Sequence, residues 1–282
     1  MFILNCFQNS KLMNNYKLIC SDIDGTLLNS DRNVSSYTIN VVKKLKEASP
    51  FILISARMPS AMFHIQQDLG IENSPMVCYN GGLILHEQHV LGSTEIPLHI
   101  SEKVAHIIEA EDLHFGMYHY DEWYVTKDDQ WAKREANNTK VFPTLKQSKE
   151  VFIDWKKENK APHKLMCMGE EAKVEKVFVA LSEALSSDLH LYRSKPTYIE
   201  IAPKAISKLT GIHTIAQEIY KLSAKEIIAY GDNYNDVELL DGVGLGVAVA
   251  NAVEPVKKVA NQHTLSSKED GVAKHLAELF QL

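Results

Sequence analysis

Lys17-Leu-Ile-Cys-Ser-Asp-Ile-Asp-Gly-Thr26 is an apolar run, Lys17 to Ser21, that stops at an acidic turn, Asp22-Ile23-Asp24-Gly25-Thr26. A short uninterrupted apolar run reads as a strand buried on both faces, as in the middle of a parallel sheet. The neighbouring segments agree. Ser35 to Ala48 spaces Ile39, Val42 and Leu45 along one helical face, Phe51 to Ile54 is a second buried run, and Ala61 to Leu69 is a helix stopped by Gly70. Val77-Cys-Tyr79 then enters the tight turn Asn80-Gly81-Gly82, with Leu83 to Leu85 as the return arm of a hairpin. Strands alternating with helices predict βαβ units and a mainly parallel α/β sheet.

From about His86 to Lys195 the texture changes. Ser101 onward suggests a capped amphipathic helix, and Phe115 to Thr126 an aromatic-rich strand pair. Glu170 to Ser186 puts Val174, Val177, Phe178, Leu181 and Leu185 on one helical stripe, and Leu189–Tyr192 and Tyr198–Ile201 read as strands. After Lys208 the first texture returns, with strands at Glu226–Tyr230 and Gly244–Ala250 between helices. The expected organisation is a core of residues 14–85 and 197–282, an inserted α+β domain at 86–196, and an N-terminal extension at 1–13, because Met13 leads directly into the first strand-like run.

The acidic turn lies beyond the carboxyl end of a strand, where open parallel sheets bind ligands. A carboxylate such as Asp22 can attack phosphorus, and a second one two residues on, Asp24, can give and take the proton. Alone, this turn could equally cap a helix. Gly231-Asp-Asn-Tyr-Asn-Asp236 again follows a buried strand and again brings carboxylates to its carboxyl end. Two acidic clusters at one sheet edge make a hard-cation site; Mg²⁺ suits it best, and no twelve-residue EF-hand loop speaks for Ca²⁺. Ser55-Ala56-Arg57, after the second strand, offers a hydroxyl and backbone N–H groups to a phosphate oxygen, and Lys208, at a helix start, offers positive charge.

Composition narrows the partners. In 282 residues, 30 Lys+Arg against 36 Asp+Glu give a formal charge of −6, which argues against a nucleic-acid backbone or an anionic membrane as partner. The 45% hydrophobic content fits an ordinary globular protein, and no apolar run approaches a bilayer span. Cys6, Cys20, Cys78 and Cys167 are widely spaced, which predicts free buried thiols in a reducing compartment, and the cytoplasm is the expected location. Gly242-Val-Gly-Leu-Gly246 has the wrong spacing and position for a dinucleotide loop. The aromatic set Tyr118, Tyr120, Trp123 and Tyr124 is expected to pack in a core rather than line a pocket.

The motifs together resemble the haloacid dehalogenase-like phosphatases, and within them the Cof-type group with a large α/β cap. The resemblance is carried by Asp22-Ile-Asp-Gly-Thr-Leu-Leu28, Gly231-Asp-Asn-Tyr-Asn-Asp-Val-Glu-Leu239, Asn251-Ala252 and Asp270-Gly-Val-Ala273. It implies a doubly wound, Rossmann-like core with an inserted cap. It implies Asp22 as nucleophile and Mg²⁺ ligand, and Asp24 as general acid/base with its backbone carbonyl on the metal. Asp232 and Asp236 would complete the metal's surroundings, Ser55, Ala56, Lys208 and Asn235 would hold phosphoryl oxygens, and Thr26 would support the loop. This chain has Ser55-Ala56-Arg57 where the family usually has Thr-Gly-Arg, and Pro203-Lys-Ala205-Ile206 where Pro-x-Gly-Val is common. The expected activity is Mg²⁺-dependent hydrolysis of small phosphorylated metabolites by a monomer or small homo-oligomer, with no nucleic-acid or membrane partner. A phosphomutase and a non-catalytic phosphometabolite sensor are the alternatives.

Overall fold

The computed structural model describes residues 15–282 apart from residues 48 and 88; the expected extension at 1–13 and Cys6 lie outside the described residues. In chain order the strands are β1 (Leu18–Asp22), β2 (Phe51–Ile54), β3 (Met76–Cys78), β4 (Leu83–His86) and β5 (His89–Ser93), then β6 (His114–His119), β7 (Glu122–Val125), β8 (Thr144–Leu145) and β9 (Lys164–Met168). They continue with β10 (Leu189–Lys195), β11 (Tyr198–Pro203), β12 (Ile227–Gly231), β13 (Leu245–Val249) and β14 (Gln262–Thr264).

The large sheet has eight strands in the order β14-β13-β12-β1-β2-β3-β4-β5. Every pairing from β14 to β3 is parallel, and β4 and β5 add an antiparallel edge. β1, β2, β12 and β13 are buried at every position, which is why each reads as a continuous apolar run. The chain winds outward from β1 through β2 and β3, and later in the other direction through β12 to β14. Strand order therefore reverses between β1 and β12, and a crevice opens at their carboxyl ends. The helix Ser36–Leu45 starts where the Ser35 side chain accepts from Thr38 N, and it buries Val41, Val42 and Leu45. Gly70, at φ +67°, ends the helix Ser60–Leu69. The expected α/β class with a mainly parallel sheet is what the chain forms.

The small sheet has six strands in the order β10-β11-β9-β6-β7-β8, antiparallel except for β7–β8. One face carries Phe115, Met117, Leu165, Cys167, Ile199 and Ile201, packed in a core with residues of the helices Leu98–Ala110, Ser148–Lys157 and Glu171–Leu185. The other face carries Tyr118, Trp123, Met166 and Met168, which join the core of the large sheet. Sheet membership changes after β5 and again after β11, later at both points than residues 86 and 197. β5 is exposed or half-buried throughout, so its sequence holds only the pair Val90-Leu91 and no buried run, and the apolar run of β11 does not say which sheet it joins.

Tyr118 and Trp123 are buried and stacked at 5.5 Å, the core role expected of them. Cys20, Cys78 and Cys167 are free and buried, and burial pushes the Cys167 thiol up to about 12. Among the described residues no helix is long and apolar enough to cross a membrane.

Candidate active site

β1 delivers Asp22 to the crevice at its final residue, and the chain then turns through Gly25, whose φ is +86°. A Cβ at Gly25 would run into the Asp232 carboxylate, so this turn admits the second acidic loop only with glycine. Thr26 Oγ1 donates to Asp232 Oδ1 at 3.0 Å, and Asn251 Nδ2 donates to Gly25 O at 2.7 Å. Asp236 is fully buried: its Oδ2 accepts from the backbone N–H groups of Asp232 and Asn233, both at 3.0 Å.

Lys208 stands at the start of the helix Lys208–Ile215, which Ser207 and Thr210 cap reciprocally. Its buried ammonium donates to Asp22 Oδ1 and Asp236 Oδ1, each at 2.6 Å. Oxygens of Asp22, Asp232 and Asp236 lie within 4.8 Å of one another. One ammonium thus faces three carboxylates. Burial, opposed by Lys208 and reinforced by the Asp236 and Asp232 charges, pushes the Asp22 carboxyl well above the usual range. Burial and the Asp236 charge carry Asp232 up to about 7. Burial disfavours the Lys208 ammonium, yet Asp22 and Asp236 hold its pKa above the ordinary lysine value. Hard oxygen donors with an excess of negative charge fit a hard dication such as Mg²⁺.

Asp24 is placed differently. Its half-exposed carboxylate accepts from Arg57 Nε at 2.7 Å, Arg57 Nη2 at 2.8 Å and Arg32 Nη2 at 2.6 Å. Crowding by protein raises its pKa, but the Arg57 hydrogen bonds and the charges of Arg57 and Arg32 reverse this and hold the carboxyl below its ordinary value. In this arrangement it is an ionised, paired group.

Ser55 is buried at the carboxyl end of β2, with its N–H on Val77 O at 2.9 Å and its hydroxyl accepting from Arg57 N at 3.2 Å. Ala56 is not among the residues with positive φ, so alanine sits here without strain. A cavity of about 410 Å³ opens above these groups. Asp22, Asp24, Ser55, Ala56 and Asn235 line its floor, while Thr26, Asp232, Asp236 and Lys208 are not among its lining residues. The expected phosphoryl-holding Lys208 is therefore engaged by Asp22 and Asp236 rather than facing the cavity.

The small sheet and the helix Gln130–Thr139 supply the opposite wall, with Glu135, Lys164, Tyr192, Tyr198 and Glu200. Sequence reasoning did not single out these residues. Lys164 reaches the loop after β2: its ammonium donates to Ala56 O at 2.8 Å and lies 4.4 Å from the Tyr118 ring centroid. The wall tyrosines sit on segments read only as strands, and nothing in their spacing marks a pocket.

Glu95, His119 and His163 form a second cluster of ligating types. His119 Nδ1 lies 2.8 Å from Ala161 O, an acceptor, and His163 Nδ1 accepts from Tyr120 N at 3.2 Å. These partners put the hydrogens on His119 Nδ1 and His163 Nε2, the nitrogens that face Glu95 at 3.5 and 3.9 Å. The hydrogen bonds of these histidines go to Ala161 O, Tyr120 N and, from His163 Nε2 at 3.0 Å, Ser93 Oγ, and no nitrogen lone pair is turned toward the carboxylate.

The sequence-family model of haloacid dehalogenase-like hydrolases matches residues 19–276. A Haemophilus influenzae protein with a provisional phosphatase name is 31% identical over 268 residues, covering 94% of this chain and 98% of its own. The Bacillus subtilis 5-amino-6-(5-phospho-D-ribitylamino)uracil phosphatase is 29% identical over 274 residues, with 94% and 98% covered. A crystal structure of a haloacid dehalogenase-like hydrolase from Bacteroides thetaiotaomicron superposes with a TM-score of 0.84 at 27% identity, covering 94% of this chain and 100% of its own. With the acidic loops of β1 and β12 meeting at the switch point and the match running through nearly every element, the chain belongs to the haloacid dehalogenase-like hydrolases and is a hydrolytic enzyme.

Proposed function

We propose that this hydrolase removes phosphate from small phosphorylated metabolites, with Mg²⁺ bound, through an aspartyl-phosphate on Asp22. The convergence of Asp232, Asp236 and Lys208 on Asp22, at the floor of a cavity walled by the small sheet, supports this reading. Oxygens of Asp22, Asp232 and Asp236, with the Asp24 backbone carbonyl, would hold the ion. Bound there, Mg²⁺ supplies charge neutralisation to the phosphoryl oxygens and the carboxylate cluster.

The chain's own groups do the rest. The Ser55 hydroxyl, the Ala56 backbone N–H and the Asn235 amide orient the phosphoryl group above Asp22. An Asp22 oxygen bonds to phosphorus as the phosphorus–alcohol oxygen bond breaks, and Asp24 gives its proton to the departing oxygen. Water then attacks phosphorus, gives its proton to Asp24, and frees phosphate and the Asp22 carboxylate. To carry a proton, the Asp24 carboxyl has to be released from Arg57 and Arg32, so the ion pairs around it belong to a resting arrangement. Lys208 keeps positive charge beside the nucleophile throughout.

The wall residues Glu135, Lys164, Tyr192, Tyr198 and Glu200 are hydrogen-bonding groups and suit a hydroxyl-rich leaving group. The Bacillus subtilis relative is named for a phosphorylated ribityl compound, which belongs in any substrate panel. Phosphate release from sugar, nucleotide, cofactor and ribityl phosphates is expected with Mg²⁺ and is expected to vanish in chelator. Release that is indifferent to chelator would count against the metal, and release from no ester would count against the reading as a whole.

A further inference from the structure

Asn80 stands in a turn that the sequence marks only as a reversal, yet it is fully buried and bonds to both walls of the site. Tyr79, Asn80 and Gly81 have φ of 51°, 56° and 104°, three successive residues in the left-handed half of the map. Asparagine tolerates that region better than most residues, and the surroundings hold the rest in place. Tyr79 N donates to Arg57 O at 3.1 Å and Asn80 N to Ser55 O at 2.9 Å, while the Tyr79 hydroxyl donates to Tyr120 O at 2.6 Å. The turn is thus fixed to the Ser55–Arg57 loop on one side and to the small sheet on the other.

The side chain makes a polar relay with a defined sense. A Glu200 carboxylate can only accept, so the Asn80 end that meets Glu200 Oε1 at 2.5 Å is Nδ2. Asn80 must then turn Oδ1 the other way, and that oxygen accepts from Asn235 Nδ2 at 2.9 Å. Asn235 is thereby held with its N–H end in place, with one N–H spent on Asn80 and one left for the cavity it lines. Reversed, it would offer an amide oxygen to a phosphoryl oxygen and repel it. Asn80 itself does not line the cavity, so whatever it contributes passes through Asn235.

We infer that Asn80 is a positioning residue. It carries the acceptor-only character of Glu200, on the small sheet, to Asn235, and so fixes the Asn235 amide with N–H toward the phosphoryl group. This rests on the reading of Asn235 as a phosphoryl-holding residue given above. It also makes phosphoryl binding depend on the small sheet being seated, because the relay begins on β11.

The test is a double-mutant cycle on the full chain, read by calorimetric affinity for inorganic phosphate in the presence of Mg²⁺ and by ester hydrolysis in parallel. Asn80→Gly keeps the positive φ and removes the relay. It is expected to weaken phosphate binding about tenfold in the wild-type background and less than about twofold in the Asn235→Ala background. Glu200→Gln keeps the side chain but can present either end to Asn80; a loss of about threefold, again absent in Asn235→Ala, is expected even if Asn80→Gly folds poorly. Equal losses in both backgrounds, which a purely structural role would give, overturn the inference. A wild type that hydrolyses esters while the cycle is additive refutes the positioning role alone. A coupled cycle in a protein that hydrolyses no ester supports the positioning role and refutes the phosphatase reading. A wild type that binds no phosphate refutes both.

Discussion

Asp22→Asn lowers phosphate release by at least about 10⁴-fold, because an amide cannot form the acyl-phosphate on which the two-step route depends. The same change leaves the fold intact. Asn Oδ1 can still accept from Lys208, and the side-chain volume is unchanged. The stability effect even has a favourable sign in chelator. The Asp22 carboxyl has its folded-state pKa raised by burial and by Asp236 and Asp232. A raised folded pKa means stability that is present below the unfolded pKa and lost as pH rises through the folded one, so above the unfolded pKa the burial of this carboxyl costs the metal-free protein stability. The variant is therefore expected to unfold at a temperature equal to or above that of the wild type when Mg²⁺ is withheld. Steady-state phosphate release and thermal unfolding in chelator check the two halves. A variant with more than a few per cent of wild-type turnover would remove Asp22 from the reaction.

Lys208→Met is expected to destabilise the metal-free protein by about 3–5 kcal/mol at about pH 8, since it strips from three clustered carboxylates the ammonium that bonds Asp22 and Asp236. The deficit is expected to shrink on acidification toward about pH 5. Without Lys208 the folded pKa values of the cluster move further up, so the carboxylates take up protons as pH falls and the repulsion fades. Mg²⁺ is expected to restore part of the loss, because it binds the folded cluster. Turnover falls as well, by about 10²-fold or more, as positive charge beside the nucleophile is lost. Urea unfolding across that pH range, with Mg²⁺ and with chelator, decides the matter. A deficit that does not change with pH would mean that Lys208 acts through packing and not through charge.

How much of this was legible in the sequence depends on the range of the interaction. β1, β2, β12 and β13 announce themselves because strands buried on both faces need apolar residues throughout, and acidic turns after β1 and β12 are strings of neighbours. The stripe Val174, Val177, Phe178, Leu181 and Leu185 is likewise local, and all but the half-buried Phe178 are buried. What was missed was set by distant partners. Lys208 reads as a cation free for a ligand, but the structure spends it on Asp22, 186 residues away. Asp24 reads as a proton carrier, and its pairing with Arg57 and Arg32 appears only when the loops after β1 and β2 meet. Asn80 reads as a turn former, which it is; its amide bonds span 120 residues to Glu200 and 155 to Asn235. No pattern in a single chain marks such pairs.

The central claim is covalent transfer to Asp22, and the direct measurement is acid quench of the Mg²⁺-loaded enzyme during turnover of its best substrate, followed by peptide mass analysis. Phosphate is expected on the peptide that carries Asp22, labile to hydroxylamine as an acyl-phosphate is, and absent from Asp22→Asn. Brisk phosphate release with phosphate trapped on another residue, or release that Asp22→Asn retains, would contradict the account.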